Sequence, residues 1–145
     1  MSNSGFTEHY HADRDFGLRC LSAGLTGTFD RHLSSAHLHE RTLESFVRDA
    51  RSQGAAGVLM PRFHPASVTA PKPGDFARKL PRPVSDLVHL TRRPRAYAVV
   101  SPAMRSLLQL AGSARQWPLQ DALARVLRRI EQQHGAIEQS HGRRT

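Results

Sequence analysis

Seven basic side chains fall between positions 72 and 95: Lys72, Arg78, Lys79, Arg82, Arg92, Arg93 and Arg95, against only Asp75 and Asp86. Cationic groups at this density are suited to meeting phosphates, the guanidinium in a two-pronged contact and the ammonium as a point charge. Prolines at 73, 81, 83 and 94 cut the stretch into short rigid pieces, so it cannot lie in a groove as one continuous basic helix. What remains is a jointed basic rim. Arg125, Arg128 and Arg129 extend the set, because their spacing places them on one arc of a helix. Arg92-Arg93-Pro94-Arg95 reads as three guanidinium groups on an extended X-Pro turn, with Tyr97 close behind to stack on an unpaired base. Aromatic residues are otherwise few, so contact with the phosphate backbone is expected to dominate over base readout.

The charge is not spread along the chain. Residues 1–60 hold six Arg and seven acidic residues, a net charge of −1, whereas residues 61–145 hold 15 basic and five acidic residues, a net charge of +10. A uniform bias would tilt both halves. Of the 21 basic residues, 19 are arginine, the cation best shaped for phosphate and for stacking on bases. Three other accounts of these residues stand beside a nucleic-acid surface. They could form a solvated basic face, pair with the acidic first half, or serve an inhibitor or adaptor that meets an acidic protein surface.

Histidine offers a second kind of chemistry. Five of the nine histidines (His9, His11, His32, His37 and His39) lie in the first 40 positions. A helix would point His37 and His39 in divergent directions, and no carboxylate or cysteine set completes a site at metal-ligand spacing. Metal and cofactor are therefore not expected. His32-Leu33-Ser34 and His89-Leu90-Thr91 form a pair of His-x-Ser/Thr tripeptides of the kind that two-histidine phosphoesterases carry on facing strands. Both fall here in helical stretches of a chain short for that fold, so a non-enzymatic protein is expected. Cys20 is the single cysteine, which excludes an intramolecular disulfide and reads as a small buried hydrophobe. No apolar run suggests a leader or a membrane span, and a cytoplasmic protein without a membrane partner is expected.

These residues must be carried by helices. Phe16, Leu18, Leu21, Leu25, Phe29 and Leu33 recur at the helical period, with Gly24 and Gly27 as weak points that break it into one imperfect helix or two short ones. Ser34 or Ser35 caps a helix that buries Leu38, Leu43, Phe46, Val47 and Ala50 and stops at Gly54. Its charged side, Glu44–Arg48 and Arg51 included, reads as a self-neutralised solvent face. Val58–Met60 suits a strand or a helix tail, and 61–74 an extended proline-rich loop. Asp75 caps a single turn, Val84 to about Arg93 forms a short helix after Pro83, and Tyr97–Val100 is the best β candidate. Ser101-Pro102 reads as a helix start, with Met104, Leu107, Leu108 and Ala111 as its stripe and Gly112 as its end. The clearest helix opens at Pro118, runs through Leu119, Ala122, Leu123, Val126, Leu127 and Ile130, and closes at Gly135. Trp117 staples its entry onto the core or, if exposed, anchors an interface. An αα-hairpin is expected here rather than a helix-turn-helix, because Pro118 would fall inside the recognition helix.

The expected architecture is mainly α: a small bundle of four to five helices with a proline-rich irregular middle and at most one short strand pair. Residues 1–13 read as a flexible N-terminus, 14–135 as one helical domain and 136–145 as a basic flexible tail. The expected partners are nucleic acid, with RNA or single-stranded DNA favoured, and other protein subunits. In size, helix content and charge alone, the chain resembles the small subunits of CRISPR effector complexes.

Overall fold

The computed structural model describes residues 12–28, 32, 42–72, 74–78 and 80–141. It contains five helices: α1 (Ala12–Ser22), α2 (Leu43–Phe63), α3 (Arg82–Leu90), α4 (Pro94–Ser113) and α5 (Trp117–His141). No strand occurs among the described residues, and the architecture is a small helical bundle.

The bundle is built around α5. Leu127 and Ile130 are fully buried, with Leu123 and Val126 half-buried beside them. Burial of a side chain of this size stabilises by roughly 1.5–3 kcal/mol. Helices α2, α3 and α4 all pack on this stripe. From them Val47, Val88, Met104 and Leu108 complete the main core, joined by Ala77 of the connecting segment.

The seam between α2 and α5 is closed by two glycines. A Cβ added at Gly54 would stand 2.9 Å from the Cα of Gln132 and nearer still to its carbonyl. One added at Gly135 would meet the Arg51 backbone in the same way, 2.9 Å from its Cα. The two backbones therefore touch, which only glycine permits. For this reason neither glycine ends its helix, contrary to the sequence expectation. Helix α2 continues past Gly54 to Phe63 with Pro61 in its last turn, and α5 continues past Gly135 to His141. Residues up to 141 of the expected tail are thus helical, and 142–145 lie outside the described residues.

Other boundaries also move. The cap of α2 is Thr42, whose hydroxyl accepts from the Ser45 N–H at 3.1 Å, and the expected Ser34 and Ser35 lie outside the described residues. Tyr97–Val100 is helical, not β, because α4 starts at Pro94 with extended Arg93 as its cap. Ser101-Pro102 falls in the interior of α4 instead of at its start. Proline there removes one backbone hydrogen bond, but Ser101, Met104, Leu108 and Ala111 are all buried on the same helix, and that packing holds the helix through the defect. The chain reverses at 114–116, where Arg115 takes φ 55°, and α4 and α5 then form the expected αα-hairpin.

Helix α1 stops before Gly24, which takes φ 78°. Its expected apolar stripe is not buried: Phe16, Leu21 and Leu25 are exposed, while Cys20 is half-buried. A polar contact holds α1 instead. Buried Asp15 accepts from His64, which follows α2, at 2.7 Å and pairs with Arg19 at 2.8 Å. No helix among the described residues is long and apolar enough to cross a membrane.

Candidate nucleic-acid interface

One polar cluster lies at the centre of the bundle. Glu131 of α5 is fully buried and accepts from Arg51 Nε of α2 at 2.7 Å. From α4 it accepts Tyr97 Oη at 2.8 Å, Ser101 Oγ at 2.5 Å and Arg105 Nη2 at 3.1 Å. Burial pushes the Glu131 pKa up, but hydrogen bonds from Ser101, Arg51, Tyr97 and Arg105 outweigh it and hold the carboxyl below the usual glutamate value. Burial and the neighbouring carboxylate together push the Tyr97 pKa up. Arg51 also donates to the Tyr97 hydroxyl, so this arginine belongs to the interior network and not to the solvent face expected for it. The Tyr97 ring stacks on His134 with centroids 3.6 Å apart and planes 13° apart. Tyr97 is therefore engaged within the fold and does not offer the free face expected for an unpaired base.

Above this core the basic side chains divide between places. Lys72 is exposed on the loop after α2, and its backbone N–H donates to Asp75 Oδ2 at 2.7 Å. Arg78 is exposed on the turn at 74–78, Arg82 on the first residue of α3, and Lys79 lies outside the described residues. Arg93 caps α4, and Arg95 is exposed in its first turn. Arg92 donates toward Gln133 Oε1 at 3.4 Å. Gln133, itself buried, donates to the Val88 carbonyl at 2.7 Å and to Thr91 Oγ1 at 3.2 Å, which ties the turn before α4 to α5. Arg125 pairs with Asp121 at 2.6 Å on the exposed surface, an ion pair that solvent screens heavily.

Arg128 and Arg129 behave differently. Both line a cleft of about 450 Å³ between α2, α5 and the loop after α2, together with Arg14 of α1. Arg128 donates to Gln53 Oε1 through Nε at 3.2 Å and Nη2 at 2.9 Å, and Gln132 Nε2 donates to the same oxygen at 2.5 Å. Arg129 Nη1 lies 3.5 Å from Gln132 Oε1. Pro71 and Phe76 form a wall shared with a second cleft of about 460 Å³, on whose rim Arg92 sits. The loop after α2 thus has Arg128 and Arg129 on one side and Arg92 on the other. Sequence reasoning missed Arg14, Gln53 and Gln132. A glutamine at the helical spacing from an arginine, as in Arg128–Gln132 and Arg129–Gln132, is a readable sign of oriented guanidinium groups, but nothing in the sequence brings Arg14 or Gln53 to them.

The described residues of the two His-x-Ser/Thr tripeptides lie on helix and turn, not on facing strands. His89-Leu90-Thr91 closes α3, where the His89 Nδ1 is buried without a partner and Thr91 donates to the Val88 carbonyl at 2.8 Å. His32 is exposed on a turn, and Leu33, Ser34, His9, His11, His37 and His39 lie outside the described residues. Among the described residues no three His, Cys, Asp or Glu side chains gather as a metal set. No protein-family model, curated protein or solved structure matches this chain.

Proposed function

We propose that this protein is a non-enzymatic nucleic-acid-binding protein that grips the phosphate backbone, acting as a small helical subunit or accessory factor of a larger nucleoprotein complex. One observation carries the reading. Among the described residues, the side chains of Arg14, Lys72, Arg78, Arg82, Arg93, Arg95, Arg128 and Arg129 have no carboxylate partner, while the arginine–carboxylate pairs lie elsewhere: Arg19 with Asp15, Arg125 with Asp121, and Arg51 and Arg105 with Glu131. Pairing with the acidic first half, the competing account of this charge, is not what these ion pairs favour. Cations left unneutralised on loops, helix starts and the exposed face of α5 are what backbone binding requires.

The test is binding of labelled single- and double-stranded DNA and RNA across a salt series. Affinity should fall linearly in log–log form, and Arg92→Ala/Arg93→Ala/Arg95→Ala should flatten the slope on a single strand by about 2, at roughly 0.7 for each phosphate left unneutralised. No binding at low salt would refute the proposal.

The role as a subunit rests on a separate feature. Val99, Leu107, Leu110, Trp117 and Leu119 are large apolar side chains left exposed on α4 and α5, and exposed apolar surface of this kind is what a protein partner covers. The same surface supports the alternative of an inhibitor or adaptor. Retention of full nucleic-acid affinity with Leu107→Ser/Leu110→Ser, together with loss of co-purifying subunits, favours the first assignment; a chain that purifies as a stable monomer free of nucleic acid counts against it.

A further inference from the structure

We infer that the cleft carrying Arg14, Arg128 and Arg129 receives a phosphomonoester, the terminal phosphate of a nucleic-acid strand or of a free nucleotide. The inference rests on the nucleic-acid reading and makes this cleft its end-recognition site.

Charge selects the ligand. Three arginines and one acid, Asp75, line the cleft, so its net charge is 3 − 1, or +2. A phosphomonoester carries about −1.5 to −2 at neutral pH, whereas an internal phosphodiester carries a single charge. The match is therefore to a strand end.

Orientation supports it. Gln53 Oε1 takes two N–H groups of Arg128 and one of Gln132. An amide oxygen aims a guanidinium without cancelling its charge, as a carboxylate would. Arginine has five N–H donors, so the remaining three of Arg128 are left for ligand oxygens. Gln132 in turn faces Arg129, and one pair of glutamines sets both cations. Size and lining agree: about 450 Å³ lies within the roughly 300–1,000 Å³ of small-ligand sites, and Val68, Pro71 and Phe76 supply an apolar wall for a sugar or base.

The experiment uses one oligonucleotide carrying a 5′-phosphate, a 3′-phosphate or only hydroxyl ends, with fluorescence anisotropy as readout and adenosine monophosphate and inorganic phosphate as competitors. A phosphorylated end should bind about tenfold tighter, the worth of one or two charge-assisted hydrogen bonds. The gain should shrink below about pH 6 as the phosphate takes up its second proton. Gln53→Glu, which gives Arg128 a carboxylate, should abolish the gain, so that all three strands bind equally, each weakened by the loss of one free cation. Arg14→Ala should likewise remove the difference between the strands if Gln53→Glu fails to fold. Arg92→Ala/Arg93→Ala/Arg95→Ala should weaken all ends equally and keep the ratio. Competition by the mononucleotide assigns the unit recognised as a nucleotide, and equal competition by inorganic phosphate assigns it as the phosphate alone. Equal affinity for all three strands overturns the inference and leaves the nucleic-acid reading standing. If no strand binds at all, that reading falls; calorimetric binding of adenosine monophosphate that Gln53→Glu removes then still upholds the site, and its absence overturns it.

Discussion

Replacing Glu131 with alanine tests the central network most directly. The carboxylate is fully buried and receives four donors, two of them guanidinium groups. Removing one side of a buried ion pair costs about 3–5 kcal/mol. That range is too high here, because the Arg51 and Arg105 side chains are 37% and 33% exposed and can recover water. Ser101 cannot: it is 1% exposed, and an orphaned buried donor costs about 1–3 kcal/mol. With the packing of the side chain removed as well, the total is about 4 kcal/mol, a large part of the roughly 5–15 kcal/mol that holds a domain together. Urea unfolding reads this out. At a slope of about 2 kcal/mol per molar, the midpoint of Glu131→Ala should fall by about 2 M. A fall of less than about 0.5 M would refute the reasoning, since it would mean that the network contributes little beyond what water offers its members. The acid limb gives a second check. The folded pKa of Glu131 lies below its unfolded value, so the stabilisation is present above the unfolded pKa and is lost as pH falls below the ordinary glutamate range through the folded one. Glu131→Gln, which does not titrate, should lack that component.

Three further outcomes follow from the same packing and hydrogen bonds. Gly135→Ala gains about 1 kcal/mol of helix propensity but drives a methyl into the Arg51 backbone, so a net loss of about 2 kcal/mol in urea unfolding is expected, and a stabilised variant would refute backbone contact at this seam. Asp15→Asn should release α1 while leaving the unfolding midpoint of the bundle unchanged, seen as faster tryptic cleavage at Arg19; an unchanged cleavage rate would show that α1 is held by something else. Burial raises the Asp15 pKa, but the hydrogen bonds with His64 and Arg19 outweigh it and hold the carboxyl below the usual aspartate value, so the same release should appear in the native chain only as pH falls below the ordinary aspartate range. Trp117→Ala should change stability by less than about 0.5 kcal/mol, because the ring is 61% exposed; a loss above about 2 kcal/mol would restore the staple reading.

Helix content and the presence of α5, the helix on which α2, α3 and α4 pack, were legible because a 3.6-residue period over Leu119–Ile130 is a local property of the chain. Glu131 carries a sequence signal as well: it follows Leu127 by four residues and so stands as a carboxylate on the apolar arc, a position that demands a buried partner. The endings were misread for one physical reason. Gly54, Gly135 and Pro102 are stop or start signals only while backbone conformation is judged locally, and each here is overruled by what packs on it. Glycine at the α2–α5 seam is selected by the absent Cβ, not by freedom in φ, and no single-helix pattern distinguishes the two.

Charge placement follows the same division. By itself the sequence determined that the cations are concentrated after residue 60 and that prolines break them into joints, because composition and proline geometry need no neighbours. Which arginines are engaged with carboxylates and which keep their charge was decided only by the tertiary structure. Arg51 meets Glu131 across 80 positions of chain and Arg128 meets Gln53 across 75. Their roles depend on the close approach of α2 to α5, which two missing methyl groups make possible. Arg14 reaches the same cleft from α1, where Asp15 beside it meets His64 just beyond α2 across 49 positions.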